Sequence, residues 1–248
     1  MRTSLKKVLI VGSAPDALRT ASWDTSFFSH VIAINNAWKA CPSWNCLIYP
    51  DDFPKERHPC DIARKGKRLV TSNEFVPVQN EYGGFVYAGG TMSFTAGYWA
   101  LGALKPNVIA YIGCDMVYDA KPGQMTHFYG RGSADPLRDD VTLQSLEAKS
   151  LRLQALAGIN GCSVVNLSNQ KSSRLLIPRI ELQMLKEMTQ VPPLTCYDDL
   201  AVKKALRAES ELGYWVESGR YWEKHEDFDR RKLHEIDELW LRTALETS

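Results

Sequence analysis

Lys7-Val8-Leu9-Ile10-Val11-Gly12-Ser13-Ala14-Pro15-Asp16 governs how the rest of the chain is read: a short apolar run, stopped by glycine, followed by a turn whose proline is placed to open a helix. A run of this length bounded by turn residues has the pattern of a parallel strand buried on both faces. Proline suits a first helical turn, where a backbone N–H has no partner to lose. The same grammar recurs downstream. Val31–Ile34, Cys46–Tyr49 and Arg68–Thr71 are further short runs, Phe85–Ala88 reads as another short extended piece, and Val108–Ile112, stopped by Gly113, is the strongest strand. Weakly helical sequence follows the first turn. Thr91–Leu104 reads as a helix, as does Thr142–Ala157, where Leu143, Leu146, Ser150, Leu153 and Ala157 share a face; Ser163–Leu167 supplies another strand. Strands alternating with helices predict an α/β, Rossmann-like fold: an open, mostly parallel sheet with helices on both faces.

Composition narrows the classes further. The chain has 248 residues, 44% hydrophobic and 24% charged, with 30 Lys+Arg against 29 Asp+Glu. A net charge of +1 offers no electrostatic reason to expect nucleic acid or an anionic membrane as partner. No stretch approaches the roughly 18–20 consecutive apolar residues of a membrane span, and the start lacks the pattern of a secretory signal. The expectation is a soluble cytoplasmic protein. Its six cysteines, Cys41, Cys46, Cys60, Cys114, Cys162 and Cys196, are scattered through a chain too large to need disulfide staples, and are expected to be reduced.

The even charge is an average of unlike parts. Residues 196–248 carry 9 Lys+Arg and 13 Asp+Glu, about −4, which leaves 21 against 16, about +5, for residues 1–195. The tail has no proline and three of the seven tryptophans. We therefore divide the chain into a nucleotide-binding α/β domain, 1–195, and a helical C-terminal extension packing on it, 196–248. Tyr214, Tyr221 and Phe228 recur every seven residues, as do Trp215 and Trp222. That spacing puts each set on one helix face, for a hairpin over the sheet, a contact between two copies, or an aromatic lid over a sugar.

Ligands of open parallel sheets bind at the carboxyl ends of strands, which directs attention to four segments. In the first, Gly12 permits close approach of a phosphate to backbone N–H groups and Ser13 adds a hydroxyl. It lacks the later glycines of G-x-G-x-x-G, and the second strand ends in Asn35-Asn36 where a dinucleotide enzyme carries an acid, so a nicotinamide or flavin enzyme is not indicated. No G-x-x-x-x-G-K-[ST] occurs either. Asn35 and Asn36 either bind a base or ribose or cap the next helix. In the third segment, Thr91 and Ser93 open a helix with small and hydroxyl groups, and Asp115 directly follows the strongest strand, where a carboxylate must be paired or working. The fourth, Asn166–Arg174, gathers amides, the Ser173 hydroxyl and one arginine. Cys41, Cys46, His58 and Cys60 are zinc-ligand types without a zinc-finger spacing, and no metal site is assigned.

Taken together, the strand with G-x-x-P, the Asn-rich second strand end, the hydroxyl-started helix and Tyr111-Ile112-Gly113-Cys114-Asp115-Met116 resemble the sialyltransferase-like fold. That group holds bacterial glycosyltransferases using CMP-sialic acid and relatives similar to 6-hydroxymethylpterin pyrophosphokinases. The similarity covers roughly residues 7–170. It implies a transferase moving a sugar from a nucleotide-activated donor to an acceptor hydroxyl without a cofactor. Gly12, Ser13, Asn35, Asn36 and Thr91 would line the nucleotide site and Asp115 would sit beside the reacting centre. His127, in the loop Thr126–Gly130, would be the general base, with Tyr118, Tyr129 and Arg131 stabilising the departing phosphate. Two alternatives stay open: an ATP- and magnesium-dependent pyrophosphokinase-like transferase, and a non-catalytic nucleotide-binding module.

Overall fold

The apolar runs become strands because side chains on both sides of each one find a buried place. The structure, a computed structural model, describes residues 5–117, 125–130, 140–191 and 197–244. Its strands are β1 (Lys7–Val11), β2 (His30–Ile34), β3 (Cys46–Ile48), β4 (Arg68–Val70), β5 (Val108–Ile112) and β6 (Ser163–Asn166). They form one sheet in the order β4-β3-β2-β1-β5-β6, every neighbouring pair parallel. Alternate residues feed two separate apolar layers. Val8, Ile10, Ile32, Ile48, Ile109 and Tyr111 belong to one, and Leu9, Val11, Val31, Ala33, Ala110 and Ile112 to the other. Val8, Leu9, Ile10 and Val11 are all fully buried, each worth roughly 1.5–3 kcal/mol relative to exposure. The central strands therefore show no polar alternation.

The helices are α1 (Asp61–Arg64), α2 (Ser72–Asn80), α3 (Gly84–Ala88), α4 (Met92–Trp99), α5 (Leu146–Ile159), α6 (Leu182–Glu187), α7 (Asp199–Leu212) and α8 (Arg230–Leu241). Phe75 of α2, Phe85 of α3, Trp99 of α4, Leu153 of α5, Val202 of α7 and Trp240 of α8 share the first layer. The second layer is closed by Ala17 and Ala37, in the 3-10 turns Pro15–Ser22 and Asn35–Lys39, with Phe28, Trp44 and Leu185 of α6.

Two expectations change. Phe85–Ala88 is helical, not extended, because Gly83 and Gly84 at φ 90° and 77° turn the chain into a helix and Gly89 at 87° turns it out again; a four-residue apolar run carries no period to distinguish the two. The tail's seven-residue repeats do not lie on common helix faces. Helix α7 ends at Gly213, Tyr221 opens the 3-10 turn Tyr221–Asp227, and Phe228 precedes α8, although Tyr214 and Phe228 still meet at 5.1 Å between ring centroids. Helix α5 is buried nearly all round, its Lys149 and Arg152 included, because α7 and α8 cover the side that faces away from the sheet.

Those helices meet α5 through charge as well as apolar contact. Lys149 Nζ lies 2.6 Å from Asp237 Oδ1. Arg152 binds Glu209 with two parallel N–H donors at 2.8 Å each, and also donates to the Tyr98 hydroxyl at 2.8 Å and the Tyr82 carbonyl at 2.6 Å. Glu209 in turn accepts from the Trp240 indole at 2.7 Å. The C-terminal extension is thus built into the core of the α/β body. No helix among the described residues is long and apolar enough to cross a membrane.

Candidate functional site

The chain runs outward from β1 to β4 in one direction and from β5 to β6 in the other, so the strand order reverses between β1 and β5. Loops leaving adjacent strands there diverge to opposite sides, and a crevice opens between them. In this protein it has a volume of about 1030 Å3 and follows the carboxyl ends of β1 to β5.

Its floor is two backbones in contact. The Gly12 N–H donates to the Ile112 carbonyl at 2.8 Å and the Ala14 N–H to the Gly113 carbonyl at 2.9 Å. A Cβ on Gly12 would stand 2.3 Å from the Gly113 carbonyl oxygen and 2.5 Å from Cys114 Sγ. Main chain cannot yield as a flexible side chain would. Gly12→Ala is therefore expected to lower folding stability by about 1–3 kcal/mol or more, read by urea denaturation; a variant as stable as the parent would show that β1 and β5 separate freely.

Around this floor the structure brings together most of the residues expected from the sequence. Gly12, Ser13, Asn35, Asn36, Thr91, Ser93, His127 and Tyr129 all line the crevice. Asn35 adopts φ 50°, a left-handed conformation that asparagine tolerates better than most residues. Asn35 Oδ1 and Asn36 Oδ1 are both buried acceptors with no partner within the protein. A buried amide oxygen is costly unless something donates to it, and the hydroxyls of a ribose or the amino group of a base would do so. Thr91 is committed differently from the expectation. Its Oγ1 caps α4 by accepting the Phe94 N–H at 3.4 Å and lies 3.9 Å from Met116 Sδ. Ser93 offers its carbonyl to the Tyr111 hydroxyl at 3.1 Å. Burial pushes the Cys114 thiol up to about 12, so the sulfur on the crevice wall is no nucleophile near neutrality.

His127 reaches the wall on a tight turn anchored to β1's loop. The His127 N–H donates to the Gly130 carbonyl, the Gly130 N–H to the His127 carbonyl, and the Phe128 N–H to the Ser13 carbonyl at 2.9 Å. The imidazole is 7% exposed, its Nδ1 is 2.9 Å from Thr126 Oγ1, and the Tyr129 ring lies 5.0 Å away. Burial lowers its pKa below the ordinary histidine value, so the neutral, proton-accepting form prevails at pH 7.

Asp115 and Ser173 fall elsewhere. Asp115 is 3% exposed and is not part of the crevice wall. Its Oδ2 accepts from the Ser168 hydroxyl at 2.7 Å and its carbonyl accepts from the Arg174 N–H, which ties the end of β5 to the loop after β6. Cys114 and Met116 line the crevice, while Asp115, expected beside the reacting centre, faces the loop after β6. Ser173 accepts from Asn166 Nδ2 and the Leu175 N–H, a turn-stabilising role outside the crevice. Tyr118 and Arg131 lie outside the described residues.

No protein-family model, curated protein or solved structure matches this chain. Function is accordingly read from the crevice itself.

Two further stretches complete the wall, one missed by the sequence reading and one in the aromatic tail, for which a lid was among the expectations. One follows β3, where Asp51, Asp52, Phe53 and Arg57 line the crevice; its signal, a strand end rich in charge, was present in Pro50–Pro54. The other comes from the far end of the chain, Ser218–Trp222. It is fastened by the Tyr221 hydroxyl, which donates to Asp140 Oδ2 at 2.8 Å, while Asp140 Oδ1 accepts from the Thr142 hydroxyl and Thr142 Oγ1 accepts the Gly90 N–H at 3.0 Å. The described residues hold no group of three or more His, Cys, Asp or Glu side chains that could hold a metal ion. Cys41, Cys46, Cys114 and Cys162 are buried free thiols and Cys60 an exposed one.

Proposed function

We propose that the protein is a transferase of the sialyltransferase-like kind, moving a sugar from a nucleotide-activated donor to an acceptor hydroxyl. One observation carries this reading: a buried imidazole, tied through its own turn to the loop after β1, shares a crevice with two unpartnered amide oxygens at the strand-order reversal. In this reading Asn35 and Asn36 accept from the nucleoside, and the backbone around Gly12 and Ser13 faces its phosphate. His127 Nδ1 lies 2.9 Å from Thr126 Oγ1, which orients the ring, and Nε2 is assigned the proton of the attacking hydroxyl. The alignment of two substrates in one cleft supplies further acceleration. Asp115 enters only as a support that holds the β5 loop in place.

A second reading rests on Asp51 and Asp52 at the crevice edge: two carboxylates near a nucleotide suit magnesium, as a pyrophosphoryl transfer from ATP to a small alcohol would need. A thermal-shift comparison of CMP, UDP, GDP and ATP, each with and without magnesium, separates the two. The expected result is a rise in melting temperature with a pyrimidine nucleotide that is indifferent to magnesium. A rise with ATP that appears only with magnesium would replace the first reading with the second.

A further inference from the structure

A large indole held out into solvent needs a reason, and Trp222 is held. It is 58% exposed on the crevice wall, yet it ends a series of rings that is otherwise buried. Phe75 and Phe85, 5% and 8% exposed, meet edge to face at 6.3 Å. Phe85 stacks on Tyr221 at 6.3 Å and 19°, and Tyr221 braces Trp222 at 5.4 Å and 77°. Tyr221 is itself fixed through its hydroxyl to Asp140. The exposed ring is therefore supported from within the core, unlike a side chain left free at a surface. Tyr129, 47% exposed, adds a second aromatic face to the same crevice from a separate loop. Charged groups line the same crevice: Arg57, Arg220, Asp51 and Asp52.

From this arrangement we propose that Trp222 is the stacking platform for the ring of the second, hydroxyl-bearing substrate. The inference rests on the transferase reading for the word "second" but on the aromatic series for the site. Rings offer an apolar face to an indole and keep polar substituents at the edge, where arginine and aspartate meet them. An acyl chain would strip water from those charges and return nothing. The volume is consistent with two occupants, since about 1030 Å3 lies at the upper end of the space that one ligand commonly fills. Two sources present the required chemistry, the saturated ring of a sugar and the flat ring of a heterocyclic alcohol.

The test uses the full chain labelled with 5-fluorotryptophan, whose seven tryptophans report separately and whose Trp222 signal is assigned by its loss in Trp222→Phe. Lactose and methyl β-galactoside probe the saturated ring, 6-hydroxymethylpterin the flat one, and glycerol serves as a hydroxyl compound without a ring. A saturable shift of the Trp222 signal by a ring probe, absent with glycerol, and a roughly tenfold weaker affinity in Trp222→Leu are expected. A response to the sugars alone assigns a glycosyl acceptor, and a response to the pterin alone assigns a heterocyclic alcohol. A Trp222 signal that no ring probe moves, or unchanged affinity in Trp222→Leu, overturns the proposal. If ring probes move Trp222 while no nucleotide alters the melting temperature, the transferase reading fails and the platform stands.

Discussion

Lys149→Met is expected to cost about 3–5 kcal/mol of folding stability, a large share of what a domain possesses. The Lys149 and Asp237 side chains are each only 2% exposed, so solvent does not screen the pair. Removing the ammonium leaves the Asp237 carboxylate in the core with its other oxygen already without a partner. The companion variant, Lys149→Met with Asp237→Leu, removes both charges and fills their space with apolar atoms. It should recover most of the loss and equal or exceed the parent. Burial pushes the Asp237 carboxyl above its ordinary range, and Lys149 offsets only part of that. A carboxyl raised on folding contributes its stability fully below the unfolded pKa and loses it as pH rises through the folded one. Without Lys149 the folded value rises further, so the deficit of Lys149→Met relative to the parent should widen as pH rises. Urea denaturation at pH 5 and pH 8 measures this; a deficit equal at both, or a double variant as unstable as the single, would show that the pair is not what holds α8 on α5.

His127→Ala is expected to lower kcat of the proposed transfer by about 10²–10⁴-fold, the ordinary worth of a positioned general base. The KM for donor should change little, since the amide oxygens and the β1 loop remain. Because burial lowers the His127 pKa, the parent's rate should stay flat through neutrality and fall on an acid limb centred below the ordinary histidine value; His127→Ala should abolish that limb. The readouts are kcat against pH for both proteins with the nucleotide sugar picked out by the thermal-shift screen. Parent-like kcat in His127→Ala removes the base assignment.

Much of this architecture was legible because the sheet is buried on both faces. Val108–Ile112 and Lys7–Val11 are runs in which every residue must be apolar or hidden, and their boundaries match the strands. The strand ends then located most of the crevice. Asn166–Arg174 misled because β6 is an edge strand away from the reversal point, its loop folded against Asp115 and Asp16. Lys149 and Arg152 received no role from the sequence, since nothing local announces that Asp237 and Glu209 arrive from segments more than fifty residues away. Asp115 is placed against Ser168, outside the crevice wall, by a contact with a segment more than fifty residues away that residue type does not announce. The resemblance to the sialyltransferase-like fold extended no further than about residue 170, and so said nothing of the wall formed by Ser218–Trp222.

That wall has a consequence for the order of events during synthesis. The sheet is complete once β6 has been translated, and with it the reversal point, the two asparagines and the turn that carries His127. Tyr221 and Trp222 are the 55th and 56th residues after Asn166 (221 − 166 and 222 − 166), and α8 comes later still. Until α7 and α8 arrive, Lys149 and Arg152 of α5 lack Asp237 and Glu209, so the sheet reaches its full stability only with the tail in place. The crevice and its aromatic wall would then be completed together, as the tail settles onto α5.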